Sequence, residues 1–293
     1  MLCFIYCSIF NNIKAQNQDF IIANVGNDFY TQIFLDAQPG LITDMPYWSV
    51  GEYPAWADVS IISDIVGSPN DFDFIIEYYL IISGTPSPNN IGENIITAKE
   101  RAISSNPNTV TNHARIIMNC HHENNVIAVG KHFPGQGSSI GDTHEGWVDV
   151  TNSWSKEELI PYKNLIDSND ILAVMTSHLF NKNLDAKYPA TISKKIIDGL
   201  LRKKLNFKGV VISDDPQMKA LSKKYSLKKL IELMLNAGVD IFCFGNNMVY
   251  DASIVKRIHR SVLELINEKR VQISMLQRAN KRITTLRNRI GLK

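Results

Sequence analysis

Long apolar runs, clustered cysteines and a dominant charge are all missing from this 293-residue chain. No stretch of 18 consecutive apolar residues occurs, so no segment is a candidate for a membrane-spanning helix. The four cysteines, Cys3, Cys7, Cys120 and Cys243, are too few for a disulfide scaffold, and no CxxC pair points to a metal knuckle. The GxGxxG fingerprint of dinucleotide binding is absent, as are internal repeats and low-complexity tracts. Disorder is excluded by a 44% hydrophobic composition, which is enough to fill a core.

Charge nearly cancels, with 31 basic and 29 acidic side chains, but it is unevenly spread. Residues 1–125 hold 4 basic and 13 acidic groups, a sum of −9, while residues 251–293 hold 11 and 3, a sum of +8. A basic end is one footprint of nucleic-acid binding. Here, however, Ile254, Ile258, Val262, Leu265 and Ile266 recur at helical spacing, which predicts an amphipathic helix with a solvated basic side and no nucleic-acid partner. The opening MLCFIYCSIFNNIKAQ has the apolar core of a leader but neither a basic start nor a small-residue cleavage site. It is expected to be a buried strand.

Apolar runs rich in β-formers alternate with helical patterns along the chain. Strands are expected in CFIYCSI, TQIFLDA, VSIIS, NVIAVGKHF, ILAVMTSH, GVVIS and VDIFCFG. Helices are expected in NTVTNHARIIMNCHHENN, KEELIPYKNLIDS, SKKIIDGLLRKKL and KKLIELMLNAG. This repetition predicts an α/β fold with a parallel sheet, and about seven units in this length favour a (β/α)₈ barrel over a doubly wound sheet. The segment from Asp64 to Asn94, rich in Asn, Pro and Ser, reads as long loops around FIIEYYLII.

A barrel places its chemistry at the carboxyl ends of its strands, which here present Asp36, Lys131, His132, His178, Asp214 and Asp215. Two stretches stand out. In GKHFPGQGSSIGDTHEGW a strand ends in Lys131, His132 and Phe133, and a glycine-bordered loop then carries Asp142 and His144 two apart. Residues i and i+2 of an extended segment share a side, so the carboxylate can orient the imidazole and raise its basicity, making a proton shuttle. A loop with glycines at its borders can also swing in to exclude water. In FKGVVISDDPQM, Asp214 follows a buried strand and can attack or stabilise an electron-poor carbon, while Asp215 is expected to cap the next helix. Alone, an Asp-Asp pair after a strand is a weak signal and reads more readily as structural or capping.

Taken in order, KHFPG, the Asp-x-His loop, PATISKKIIDGLLRKKLNFKGVVISDDPQM and AGVDIFCFGNN resemble glycoside hydrolase family 3 from about Asp36 onward. The Asp-x-His loop resembles that of its β-N-acetylglucosaminidase branch. The resemblance implies a retaining, two-step hydrolysis in a barrel. Asp214 stands at the nucleophile position, His144 at the general acid/base and Asp142 at its partner. Lys131, His132 and Arg101 match positions that hold sugar hydroxyls, Asp36 matches the carboxylate gripping the non-reducing end, and His178 and Met218 lie on similar substrate-binding pieces. No cofactor and no metal are implied. The expected partner is a carbohydrate, from muropeptide or chitooligosaccharide fragments, in a cytoplasmic, wall-recycling setting. The chemistry agrees: glycoside cleavage needs one group at the anomeric carbon and another to protonate the leaving oxygen, and an imidazole, ordinarily near pKa ~6.5, does the second at neutral pH.

The sequence departs from the family in places. Gln38, Pro39 and Asp44 replace a Glu, a Gly and an Arg, Gln136 replaces a His, and Ser138 and Ser139 replace Asp-Thr. Because CFIYCSIFNNIKAQNQDF resembles the second barrel segment, a single barrel domain over 1–293 is expected, incomplete at its amino end. With no second domain after the terminal helix, the Asp-x-His loop is expected to supply the acid. A β-glucosidase or glycoside phosphorylase of the same family, or a non-catalytic barrel, are the alternatives.

Other groups are given structural expectations. His121 and His122 point apart on a helix and His113 lies off the i+4 position, so no metal is expected there. Trp147 and Trp154 are expected to anchor core or loops, and Cys243 to be a buried strand residue.

Overall fold

A computed structural model of the chain describes residues 3–6, 57–63, 72–79, 102–123, 126–246 and 250–289. The strands are β1 (Cys3–Tyr6), β2 (Ala57–Ser63), β3 (Phe72–Tyr79), β4 (Ile127–Phe133), β5 (Ala173–Thr176), β6 (Val210–Ile212) and β7 (Ile241–Phe244). They form one sheet in the order β1-β7-β6-β5-β4-β3-β2. From β3 to β7 every neighbouring pair is parallel. Each parallel step needs a crossover, supplied by α1 (Pro107–Glu123), α2 (Ile160–Asp167), the π-helix Lys195–Lys204, α3 (Lys219–Ser222) and α4 (Leu227–Ala237). Helices α5 (Ile254–Asn267) and α6 (Ile273–Arg289) follow β7.

The order distinguishes two architectures that composition alone leaves open. A doubly wound sheet reverses its strand order at a switch point, whereas β3 to β7 advance in one direction without reversal. That single sense of winding is the run of a (β/α)₈ barrel, and it brings all five carboxyl ends to one rim.

The edges correct two expectations. The stretch FDFIIEYY inside the presumed loop region is strand β3, paired parallel to β4. It also pairs antiparallel with β2 across residues 64–71, and an eight-residue connection is too short for a parallel crossover. At the other edge β1 runs antiparallel to β7, an arrangement common on otherwise parallel sheets. TQIFLDA, and the charge assigned to the amino-terminal 125 residues, lie largely outside the described residues.

Strands β4, β5, β6 and β7 are buried at every position, as continuous apolar runs between two covered faces require. Alternate side chains divide between two clusters. On one face Ala128, Val174, Val211, Phe242 and Phe244 meet the helices through Met118, Leu165, Ile197, Leu201, Ile231 and Met234. On the other, Ile127, Val129, Ala173, Met175, Val210, Ile212, Ile241 and Cys243 pack together with Ile283 of α6. Cys243 is thus a buried strand residue, as expected. Helix α5 buries Ile254, Ile258, Val262 and Leu265 and leaves Lys256, Arg257 and Arg260 in solvent, which is the predicted amphipathic division.

Below the sheet one carboxylate fastens three elements. Asp240, fully buried, accepts from the Arg202 guanidinium (2.6 Å), from Arg282 of α6 (2.5 Å to Oδ1) and from the Val211 N–H (2.9 Å). Among the described residues, no helix is long and apolar enough to cross a membrane.

Candidate active site

The end of β4 delivers Lys131 and His132, both almost fully buried. The strand register shifts between Gly130 and Phe133, and the Lys131–His132 and Phe133–Pro134 peptide bonds are cis. Two residues past β5 stands His178, and two past β6 stands Asp214. Three neighbouring parallel strands therefore aim a lysine, two histidines and a carboxylate at one place.

Asp214 is the centre of that group, with its side chain 19% exposed. His132 Nε2 lies 3.7 Å from its Oδ2, and the Asp215 N–H donates to its Oδ1 at 2.8 Å. Burial disfavours the charged carboxylate, but His132, His178, the Asp215 N–H and Lys131 together outweigh it and hold the group below its ordinary pKa. Asp214 is an ionised, partly accessible carboxylate ringed by donors and positive charge.

His178 supports this arrangement from behind. It is fully buried, with Nε2 2.7 Å from the Asp215 carbonyl oxygen and Nδ1 2.8 Å from the Thr191 hydroxyl. A carbonyl only accepts, so Nε2–H donates to it, while the Thr191 hydroxyl beside Nδ1 gives its own proton to the Ser177 carbonyl at 2.7 Å. Burial lowers the His178 pKa, opposed by the Asp214 charge and by the hydrogen bond to the Asp215 carbonyl. Both ring nitrogens are engaged inside the protein, and through the Asp215 carbonyl His178 supports the Asp214–Asp215 backbone.

Asp215 does not cap the next helix, since Met218 occupies that position. Instead its Oδ1 accepts from Gln217 N–H at 2.9 Å, closing an Asx turn. Burial, reinforced by the Asp214 charge, lifts its carboxyl to about 6 in spite of the Gln217 and Gly245 N–H groups. Met218 is buried behind this turn.

The loop from Gly135 to Gly146 holds the remaining pair. Asp142 Oδ1 accepts from His144 twice, from the backbone N–H at 2.9 Å and from Nδ1–H at 2.6 Å. That fixes the ring and leaves Nε2 as the nitrogen able to exchange a proton with a ligand. The imidazole is 58% exposed, on the loop that leaves the carboxyl end of β4. The loop tip is held by the buried Thr143, whose carbonyl accepts from Ala220 N–H at 3.2 Å, beside the Asp214 turn.

Trp154 packs on Val148, Val150 and Leu179 and donates Nε1–H to the Pro134 carbonyl at 3.2 Å, which makes it a loop anchor as expected. Trp147 leans on Phe180 with ring centroids 4.9 Å apart and carries the Lys224 ammonium over its face at 3.1 Å. Asp36 and Arg101, and with them Gln38, Pro39 and Asp44, lie outside the described residues.

Sequence reading overlooked Glu158. It is buried, and its carboxylate accepts from Gly137 N–H (2.9 Å) and the Ser138 hydroxyl, at the root of the Asp142–His144 loop. The only signal was Ser155-x-x-Glu158, a capping-box pattern, which the structure does form.

Arranged in this way, the site offers an ionised carboxylate, a proton-exchanging imidazole on a separate loop and donors suited to hydroxyls. Residues 90–286 match the glycosyl hydrolase family 3 N-terminal domain. A beta-hexosaminidase of Tolumonas auensis is 33% identical over 159 residues, 53% of this chain and 47% of that protein. The chain spans about half the length of the curated relatives it matches. Among solved structures, a glycoside hydrolase family 3 β-N-acetylglucosaminidase from Paenibacillus superposes with a TM-score of 0.63 at 25% identity, covering 73% of this chain and 39% of that one. The β-N-acetylglucosaminidase of Thermotoga maritima gives 0.55 at 29% identity, covering 66% and 41%. With two thirds of its length inside the family's domain and the Asp214 and His144 groups on one rim, the chain belongs to glycosyl hydrolase family 3.

Proposed function

We propose that the protein is a retaining, exo-acting β-N-acetylglucosaminidase. The observation that carries this reading is the pairing of an ionised Asp214 at a strand end with an Asp142-oriented His144 on the loop above it. Asp214 Oδ2 attacks the anomeric carbon as His144 Nε2 gives its proton to the glycosidic oxygen, and the leaving alcohol departs. The resulting covalent glycosyl ester is then hydrolysed: His144 takes a proton from water, which attacks the same carbon and frees Asp214. Asp142 offsets the positive charge on the imidazolium each time that form appears.

Lys131 and His132 serve as hydroxyl-binding groups that also keep Asp214 ionised, and His178 acts through the Asp215 carbonyl. Asp36 and Arg101 are assigned further sugar contacts by family resemblance. One domain over residues 1–293 carries the site. The relatives named as β-N-acetylglucosaminidases and beta-hexosaminidases favour an N-acetylhexosamine at the non-reducing end. Cell-wall muropeptides or chitooligosaccharides, met in the cytoplasm, are the substrates we assign, with no cofactor.

The test is hydrolysis of an aryl β-N-acetylglucosaminide by the purified chain beside Asp214→Ala and His144→Ala. Turnover that disappears in Asp214→Ala supports the reading. Full activity in that variant, or a folded wild type inert toward N-acetylglucosaminides and glucosides alike, overturns it.

A further inference from the structure

We propose that Glu158 is a positioning residue for the acid/base loop: its buried carboxylate grips Gly137 and Ser138, and through them sets where His144 stands relative to Asp214. The catalytic part of this inference rests on the function proposed above, while its structural part does not.

The geometry goes beyond what a helix start requires. Glu158 lies on the 3₁₀ turn Lys156–Leu159, and its Oε1 accepts from Ser155 N–H at 3.5 Å, completing a capping box with the Ser155 hydroxyl. A capping box needs nothing more and is ordinarily solvated. Here the same carboxylate also accepts from Gly137 N–H, at 2.9 Å, and from the Ser138 hydroxyl, groups 21 and 20 residues earlier in the chain. It is 2% exposed, and burying a carboxylate is costly unless its acceptor sites are filled.

The loop is shaped around this side chain. Gly135 has φ +124°, a region L side chains rarely enter, and a Cβ there would meet the Glu158 Cβ at 2.5 Å and Oε2 at 2.6 Å. The loop thus turns directly over the carboxylate and is gripped at its root by Glu158 and at its tip by the Thr143–Ala220 bond. Asp142 and His144 flank the tip bond, so slack at the root is expected to displace the imidazole while leaving Asp214, which sits on β6 and its turn, in place.

Two measurements on wild type, Glu158→Ala and Glu158→Gln decide it. The first is hydrogen exchange of residues 135–147. Glu158→Ala is expected to speed exchange there at least about tenfold while β4 to β7 stay protected, and Glu158→Gln, which can still accept from Gly137 and donate to Ser138, is expected to restore most of the protection. Unchanged exchange over 135–147 overturns the proposal whether or not the protein is active. The second is kcat/KM, which reports glycosylation, on aryl β-N-acetylglucosaminides of graded leaving-group acidity. Glu158→Ala is expected to lose about 100-fold on a phenyl glycoside, which needs the acid, but less than about 3-fold on a dinitrophenyl glycoside, which does not. An equal loss on both overturns the catalytic part. If Glu158→Ala fails to fold, Glu158→Asp, with its shortened reach, is expected to give the same split. A wild type inert on the whole series defeats the proposed function instead, and the exchange experiment still decides the loop.

Discussion

His132 Nε2 stands 3.7 Å from Asp214 Oδ2, too far for a hydrogen bond and close enough to act on its charge. After the opposing cost of burial, His132 contributes most to keeping Asp214 ionised. Replacing it with glutamine is expected to raise the Asp214 pKa. A nucleophilic carboxylate loses activity as pH falls through its folded pKa, so the acid limb of kcat/KM should move to higher pH in His132→Gln. A limb that stays where the wild type has it would separate the two residues functionally.

Asp142 offers a different handle on the same reaction. Asp142→Asn can still accept from His144 Nδ1–H but no longer offsets an imidazolium, so kcat/KM toward a poor leaving group is expected to fall about 10²–10⁴-fold. The dinitrophenyl glycoside should be affected far less in the same variant. Steady-state rates on the two substrates provide the check.

Glu158 predicts an unusual pH dependence of stability. Burial pushes its carboxyl up to about 7 against an ordinary 4.5, although Ser138, Gly137 and Ser155 all donate to it. Between about 4.5 and 7 the folded chain therefore keeps a proton that the unfolded chain has released, and this group's contribution to stability falls as pH rises, by on the order of 3 kcal/mol in all. Tyr162, which feels the Glu158 charge, is itself buried and raised well above its usual value, so it stays neutral across that window. Denaturant titrations from pH 5 to 8 should show a downward slope in wild type that is smaller in Glu158→Gln.

The clasp beneath the sheet carries a prediction about stability alone. Asp240→Asn leaves Arg202 and Arg282, drawn together around a buried charge, without their counterion and is expected to cost about 3–5 kcal/mol. Asp240 precedes β7 at the amino end of the strands, away from the Asp214 rim. Folded protein at low temperature should therefore retain its kcat while its thermal midpoint drops, which a melting curve and a rate measured on the same sample would establish.

How much of this was written in the sequence depends on whether the information is local. Strands β4 to β7 are uninterrupted apolar runs, and their sequence positions were plain for that reason. Strand β3 was hidden because Asp73 and Glu77 interrupt it and turn-forming residues flank it, so it read as an apolar patch in a loop. Its antiparallel pairing with β2 could have been inferred from the eight residues between them. The Asp142–His144 pair was legible because its partners are two residues apart, although they meet on a turn closed by the Glu145 N–H on the Asp142 carbonyl and not on the extended segment expected, whereas the contacts of His178 with Thr191 and with a carbonyl 37 residues away are not local and were not legible. Glu158 escaped notice for a related reason: its partners lie 20 and 21 residues upstream, and it resembles any glutamate at a helix start.

The one-way winding of β3 to β7 has a consequence for biosynthesis. Because β4, β5 and β6 stand side by side in the order in which they are translated, Lys131 and His132 emerge first, His178 next and Asp214 last of the four. A nascent chain halted before β6 carries the whole proton-transfer loop with nothing to serve. On the function proposed above, such a fragment lacks its nucleophilic carboxylate, and turnover is expected only from chains that extend past β6.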